Sequence, residues 1–207
     1  MPTLIKWTKW TKSTDRSKTY FALSIASGSL MVLCGLAASA QSSAIGAALL
    51  ARANSGDAAA EVQVGEAYES GTGVAQDFKQ AAAWYRKAAD QKDIAGEVHL
   101  ADLYRDGGGK AFPRDPAMAA GWYLKAADQG DVGAQGTMGM LYSLGLGVPR
   151  SDVEAYFWLD LASSVKGPDQ QRYDMNRQNV GTRITEDQLD RIEERVTAWK
   201  AAHAHKD

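Results

Sequence analysis

Ser163 and Lys166 stand three residues apart, the spacing that sets a lysine ammonium one helical turn from a serine hydroxyl in penicillin-interacting enzymes. That chemistry needs a Ser-Asp-Asn and a Lys-Thr-Gly triplet as well. Neither occurs, and Ser151-Asp152-Val153 only approximates the first. Gly108-Gly109-Lys110-Ala111 is similar to a phosphate-binding loop, but it lacks the leading spaced glycine and a hydroxyl after the lysine, and it follows a helix-like pattern rather than a strand. It reads as a turn. His203 and His205 are two residues apart, so a helix would point them in different directions, and a solvated tail is the expected reading rather than a metal site. His99 is a lone histidine, expected on the surface or as a satisfied core group. The single cysteine, Cys34, lies in the amino-terminal apolar run, so a chain processed after residue 40 has no thiol for disulfide or metal chemistry. These residues assign no catalytic, cofactor-binding or metal-binding site.

The elements that hold these residues repeat. Ala81-Ala82-Ala83-Trp84-Tyr85-Arg86-Lys87-Ala88-Ala89-Asp90-Gln91 returns as Ala119-Ala120-Gly121-Trp122-Tyr123-Leu124-Lys125-Ala126-Ala127-Asp128-Gln129, and more loosely as Ala155 to Ala162 around Trp158. Upstream of the tryptophans, Tyr68, Tyr104 and Tyr142 keep the same period, which is the mark of stacked supersecondary units. The pattern predicts an all-α fold with two amphipathic helices per unit. In each first helix Val64, Gly65 and Tyr68 correspond to Leu100, Ala101 and Tyr104 and to Met138, Gly139 and Tyr142, one face at i, i+1, i+4. A glycine or alanine at the second of these positions is expected where a neighbouring helix passes too close for a larger side chain. Gly71 and Gly73, Gly107 to Gly109, and Gly145 and Gly147 are expected to end these helices. Asp77, Asp115 and Ser151 should cap the second helices, with Pro116 in the first turn of the middle one. Gly130 is expected to stop that helix, and Lys92, in the same place one unit earlier, to give a weaker stop. The loop Gly107 to Pro113 carries two extra residues and should protrude, with Phe112 tucked against the stack.

Residues 1–19 are basic and polar, Tyr20 to Gly35 is apolar, and Ala38-Ser39-Ala40 offers small residues to a signal peptidase. A secretory leader of residues 1–40 is expected, and its apolar run of about 16 residues falls short of the roughly 20 that span a bilayer. A periplasmic location follows, with a secreted protein or an inner-membrane anchor as alternatives. Membrane contact is expected only through an uncleaved leader. Beyond residue 40 the chain has 18 basic against 24 acidic residues, the wrong sign for a nucleic-acid binder working through bulk charge. Residues 41–57, with Ile45, Leu49 and Leu50 on one helical face, form a linker or capping helix. Past Lys166 the period breaks. Gly167-Pro168-Asp169 should start a new helix, and Thr185-Glu186-Asp187-Gln188 a last one striped by Leu189, Ile192, Val196 and Trp199; together they should cover the open edge of the stack.

The signature carried by Gly65, Tyr68, Gly71, Gly73, Val74, Asp77, Ala81, Trp84, Tyr85, Lys87, Ala88 and Ala89, with Gly130 in the second unit, resembles the Sel1-like repeat, a relative of the tetratricopeptide repeat. Three units are expected at about 58–93, 94–131 and 132–165, followed by a helical cap over 166–207. The resemblance implies a right-handed α-solenoid whose concave face binds another protein, with no cofactor. It also implies an adaptor role in exported bacterial members, with partners such as an envelope sensor or a polysaccharide-related assembly. A cell-wall-active or penicillin-interacting protein and a secreted host-contact factor are the alternative readings.

If the first helices line that face, the partner contacts fall on Glu61, Gln63, Glu66 and Glu69, then Glu97, His99, Asp102 and Arg105, then Gln135, Thr137 and Met140. The first set is acidic and the third apolar, which predicts a partner basic at one end and apolar at the other. The alternative is that these are ordinary solvated helix faces.

Overall fold

The computed structural model describes residues 46–204. The expected leader and its cleavage point, Ile45 and His205 lie outside the described residues. Within them the chain is all-α. Helix α1 covers residues 46–54, and after it come α2 (Ala58–Ser70), α3 (Phe78–Asp90), α4 (Ile94–Asp106), α5 (Pro116–Asp128), α6 (Val132–Leu144), α7 (Asp152–Ser163), α8 (Gln170–Gly181) and α9 (Glu186–His203). From α2 to α8 each helix packs on the next, so the chain builds an α-solenoid of helix-turn-helix pairs. No described helix is long and apolar enough to cross a membrane.

Each pair is bounded by the same local chemistry. The predicted caps of the second helices are present: Asp77 accepts from the N–H groups of Lys79 and Gln80, Asp115 from Met118, and Ser151 from Glu154. The first helices use the same device, because Asp57, Asp93 and Asp131 accept from Ala60, Gly96 and Ala134 at 2.7–3.0 Å. At the other end, Gly71 and Gly145 enter the left-handed region at φ 75° and 71° and return their N–H groups to Ala67 and Leu141. Lys92 takes φ 63° where the next unit has Gly130 at 99°, so a lysine sits in the left-handed region that costs an L residue about 1 kcal/mol.

The core forms where the small residues let helices approach. A Cβ on Gly65 would lie 2.6 Å from Tyr85 Cδ1, and one on Gly139 would lie 2.5 Å from Leu159 Cγ. Those are equivalent contacts in units one and three, and they account for the small residue at that position. Tyr85, Tyr123, Ala88, Ala126, Trp122 and Trp158 are buried together in the main core. Trp84 instead joins Ala53 of α1 with Ala60 and Val64 of α2. Leu49 of α1 packs on that small cluster, whereas Leu50 remains 36% exposed.

The loop expectation holds in detail, and the expectation for the last two helices is corrected. The long α4–α5 loop is anchored at both sides: Gly108 lies against Phe78, its N–H donates to Phe112 O at 2.7 Å, and the Phe112 ring packs on Tyr104 at 5.2 Å. Gly109 to Ala111, Pro113 and Arg114 stand exposed, so the loop protrudes while Phe112 is tucked against the stack as expected. The carboxyl-terminal helices also divide their work. Helix α8 packs on α7 and sends Tyr173 over Gly136 of α6, closing the stack edge. Helix α9 lies along α7 instead, with Ile192 and Val196 buried, Arg195 paired with Glu154 at 2.8 Å, and Trp199 reaching Gly130 beyond the end of α5.

Candidate functional site

Unit by unit, the face expected to meet a partner is formed by α2, α4 and α6, and the structure sorts its residues into three groups. Glu61, Glu97 and Gln135 do not face outward; they are 4%, 3% and 2% exposed. In units one and two the first turn of the first helix lies beside the last turn of the second helix of its own pair, and in unit three it meets the last turn of α5 from the preceding pair. Gln91 Nε2 donates to Glu61 Oε2 and Gln129 Nε2 donates to Glu97 Oε2, both at 2.7 Å. In unit three Gln135 donates to Ala127 O at 3.2 Å. These are framework bonds, with burial pushing the Glu97 carboxyl above its ordinary range against the opposing pull of the Gln129 bond.

The second group is exposed at one edge and tied down at the other. Tyr85 Oη donates to Glu69 at 2.6 Å, and Tyr123 Oη donates to Asp102. Burial raises both phenols well above their usual range, and the carboxylate bonds add to the shift. Arg105 bridges Asp102 at 2.7 Å and Asp106 at 2.8 Å. His99 stacks on Tyr85 with ring centroids 5.1 Å apart and sets Nε2 3.3 Å from Glu66 Oε1, so it links α4 to α2. The structure therefore brings Glu66, Glu69 and His99 together around Tyr85, and Asp102 with Arg105 around Tyr123.

The third group belongs to α6, whose sequence from Val132 to Leu144 contains no charged residue. Thr137 donates to Gly133 O at 2.8 Å and Met140 is 38% exposed. Beside them stand two side chains that were not anticipated, Leu144 at 62% and Leu146 at 50% exposure. Their signal was the repeat period itself: Ser70 and Asp106 occupy the place of Leu144, at the last residue of each first helix.

The residues that could have supported catalysis are placed otherwise. Ser163 is the last residue of α7, is 5% exposed, and donates its hydroxyl to Asp160 O at 3.2 Å, while Lys166 lies beyond the helix and is exposed. No helical turn joins the two. His203 stacks on Trp199, with Nδ1 2.7 Å from Trp199 O and Nε2 2.8 Å from Asp128 O, so the ring sits between two carbonyl oxygens at the end of α9. No group of three or more His, Cys, Asp or Glu side chains among the described residues could hold a metal ion.

Known proteins share this framework. The Sel1 repeat model matches residues 58–93, 95–131 and 134–164, about half of the chain. The crystal structure of a Sel1 repeat protein from Oxalobacter formigenes is 27% identical with a TM-score of 0.55, over 63% of this chain and 95% of that one. A protective antigen of uropathogenic Escherichia coli strains with an SLR fold is also 27% identical, with a TM-score of 0.46, over 73% of this chain and 39% of that one. No curated protein matches. With three successive matches that coincide with the pairs α2–α3, α4–α5 and α6–α7, the chain belongs to the Sel1 repeat family.

Proposed function

We propose that the protein is a non-catalytic scaffold or regulator of the bacterial periplasm, reached through its amino-terminal leader, and that it binds a protein partner on the solvent side of α2, α4 and α6. Sel1 repeats generally mediate protein–protein binding. The observation that carries the reading for this chain is the division of labour along the first helices. Glu61, Glu97 and Gln135 are used up in framework bonds, while the outward positions change character from unit to unit: Glu66, then Asp102, then Met140. A fold needs its framework to repeat, but it does not need its solvent face to vary.

The test is to tag the carboxyl end of the full-length chain, crosslink in intact cells, and identify the proteins recovered from the envelope along with the mature amino terminus. One dominant partner, lost in a folded Glu66→Lys/Asp102→Lys variant, and a start at Gln41 are the expected results. Recovery from the medium, or hydrolysis of a chromogenic β-lactam by the purified protein, would instead favour the secreted or cell-wall-active readings.

A further inference from the structure

We infer that the partner segment crossing α2, α4 and α6 is a stretch of polypeptide with basic side chains at one end and apolar ones at the other, the basic end over α2 and α4 and the apolar end over α6. This rests on the interaction-scaffold reading above and specifies the chemistry of its partner.

The argument comes from comparing equivalent positions. Glu66, Ser70 and Thr72 of unit one become Met140, Leu144 and Leu146 of unit three. Both sets are exposed, and both surround the same helix ending: Thr72 N–H donates to Ala67 O and Leu146 N–H to Leu141 O, each at 3.0 Å. The fold is thus satisfied by polar residues at these three places. Met140 and Leu144, one turn apart on a helix with no charge, and Leu146 in the turn after it are large apolar side chains left in water that serve no need of the helix or its stop, and exposed apolar groups of this kind suit a partner contact.

The other end of the face has the opposite character. With Glu61 and Glu97 buried, its outward charges are Glu66, Glu69, Asp102 and Asp106 against Arg105 and Arg114, an acidic excess. A second copy of this chain laid face to face in parallel would set these carboxylates against one another, and an anionic lipid surface would be repelled by them. A basic segment is drawn to them. Helices in contact stand 8–10 Å apart, and α4 lies between α2 and α6, so a segment reaching from α2 to α6 must span at least roughly 20 Å, the length of about six extended residues.

The test uses the full chain and fluorescein-labelled synthetic peptides of about ten residues, with paired lysines at one end, leucine and methionine at the other, and about six glycine and serine residues between. Control peptides keep only the lysines or only the apolar pair. The bipartite peptide should bind at least about tenfold more tightly than either control by fluorescence anisotropy. Met140→Glu/Leu144→Glu should weaken it about tenfold, and Glu66→Lys should do the same while also reducing the salt dependence of binding. Equal binding of a control peptide, or indifference to both variants, overturns the inference. So does a dimer of the free chain that Leu144→Glu dissociates, which would assign the patch to a second copy. A photo-crosslinking side chain placed at Leu144, and separately at Ala198 on α9, separates this inference from the reading beneath it. A cellular partner captured only from Ala198 overturns this face and leaves the scaffold standing, whereas capture from neither position, with no peptide bound, overturns both.

Discussion

Glu97 shows how one side chain couples folding to pH. The residue is 3% exposed, the hydrogen-bond partner of its carboxyl is the neutral amide of Gln129, and burial raises its pKa. Below the ordinary glutamate range, about pH 4, the group is protonated in the folded and unfolded chain alike and has no effect on their balance. As the pH rises through the elevated folded value, the unfolded chain is already ionised while the folded one must accept a buried charge. Stability therefore falls toward neutral pH. Glu97→Gln removes that charge and keeps an oxygen for Gln129, a replacement the chain itself makes at Gln135. The variant should be more stable than the parent at pH 7 and no more stable than it near pH 4, read from urea unfolding at the two pH values. The same residue marks a limit of sequence reading. Period and helix phase made positions 61 and 97 equivalent to 135, but a glutamate that changes to glutamine looks like a variable surface position. Only the neighbouring turn, with Gln91 and Gln129 aimed inward, shows that both are framework groups.

Helices meet through a few positions where side-chain size decides the approach, and the edge between α6 and α8 is the sharpest case. Units one and two carry Val62 and Val98 where unit three has Gly136. A Cβ there would sit 2.5 Å from Tyr173 Cζ and 2.8 Å from its Cδ1, so the glycine is the seat of the α8 tyrosine. Gly136→Val should lift α8 from the stack, cost about 1–3 kcal/mol, and reduce amide protection in α8 while α2 and α3 keep theirs; hydrogen exchange read by mass spectrometry checks this. The existence of α8 and α9 was legible from Gly167-Pro168-Asp169 and from the stripe of Ile192, Val196 and Trp199. What each packs against was not, because a periodic stripe identifies a buried face and says nothing of the surface that buries it. Here α8 continues the row of first helices, while α9 turns back along α7 and fastens its last turn through His203 to Asp128 O. The repeat signatures escaped this ambiguity, since a fixed period makes each unit's neighbour another unit.

Across the whole molecule, stability passes from neighbour to neighbour, so the position of a residue in the stack matters as much as its burial. Trp122 and Trp84 test this, because they are the same residue in the same helix one unit apart. Each has a lysine ammonium over its ring, Lys125 at 3.6 Å and Lys87 at 3.5 Å, and each is nearly buried. Trp122 belongs to the core that runs from Val62 to Val196, and the guanidinium of Arg86 of the preceding unit also lies over its ring at 4.8 Å. Trp84 belongs to a small cluster with Ala53, Ala60 and Val64 at the amino-terminal end. Removing either ring leaves a cavity worth about 3–5 kcal/mol, but the consequences should differ. Trp122→Ala takes the middle interface from a linear array, so protection should fall in α3 to α7 together and the unfolding midpoint of the whole chain should drop. Trp84→Ala should release α1 and loosen α2 while the units behind it hold, giving an early, partial transition ahead of the main one. Equal and global losses in the two variants would mean that the described residues unfold as a single cooperative core, and the independence of the units would have to be given up. The same logic bears on the partner face. If coupling runs only between neighbours, the acidic end on α2 and the apolar end on α6 can be altered one at a time without disturbing each other's structure, so any coupling seen between them in binding belongs to the partner that joins them.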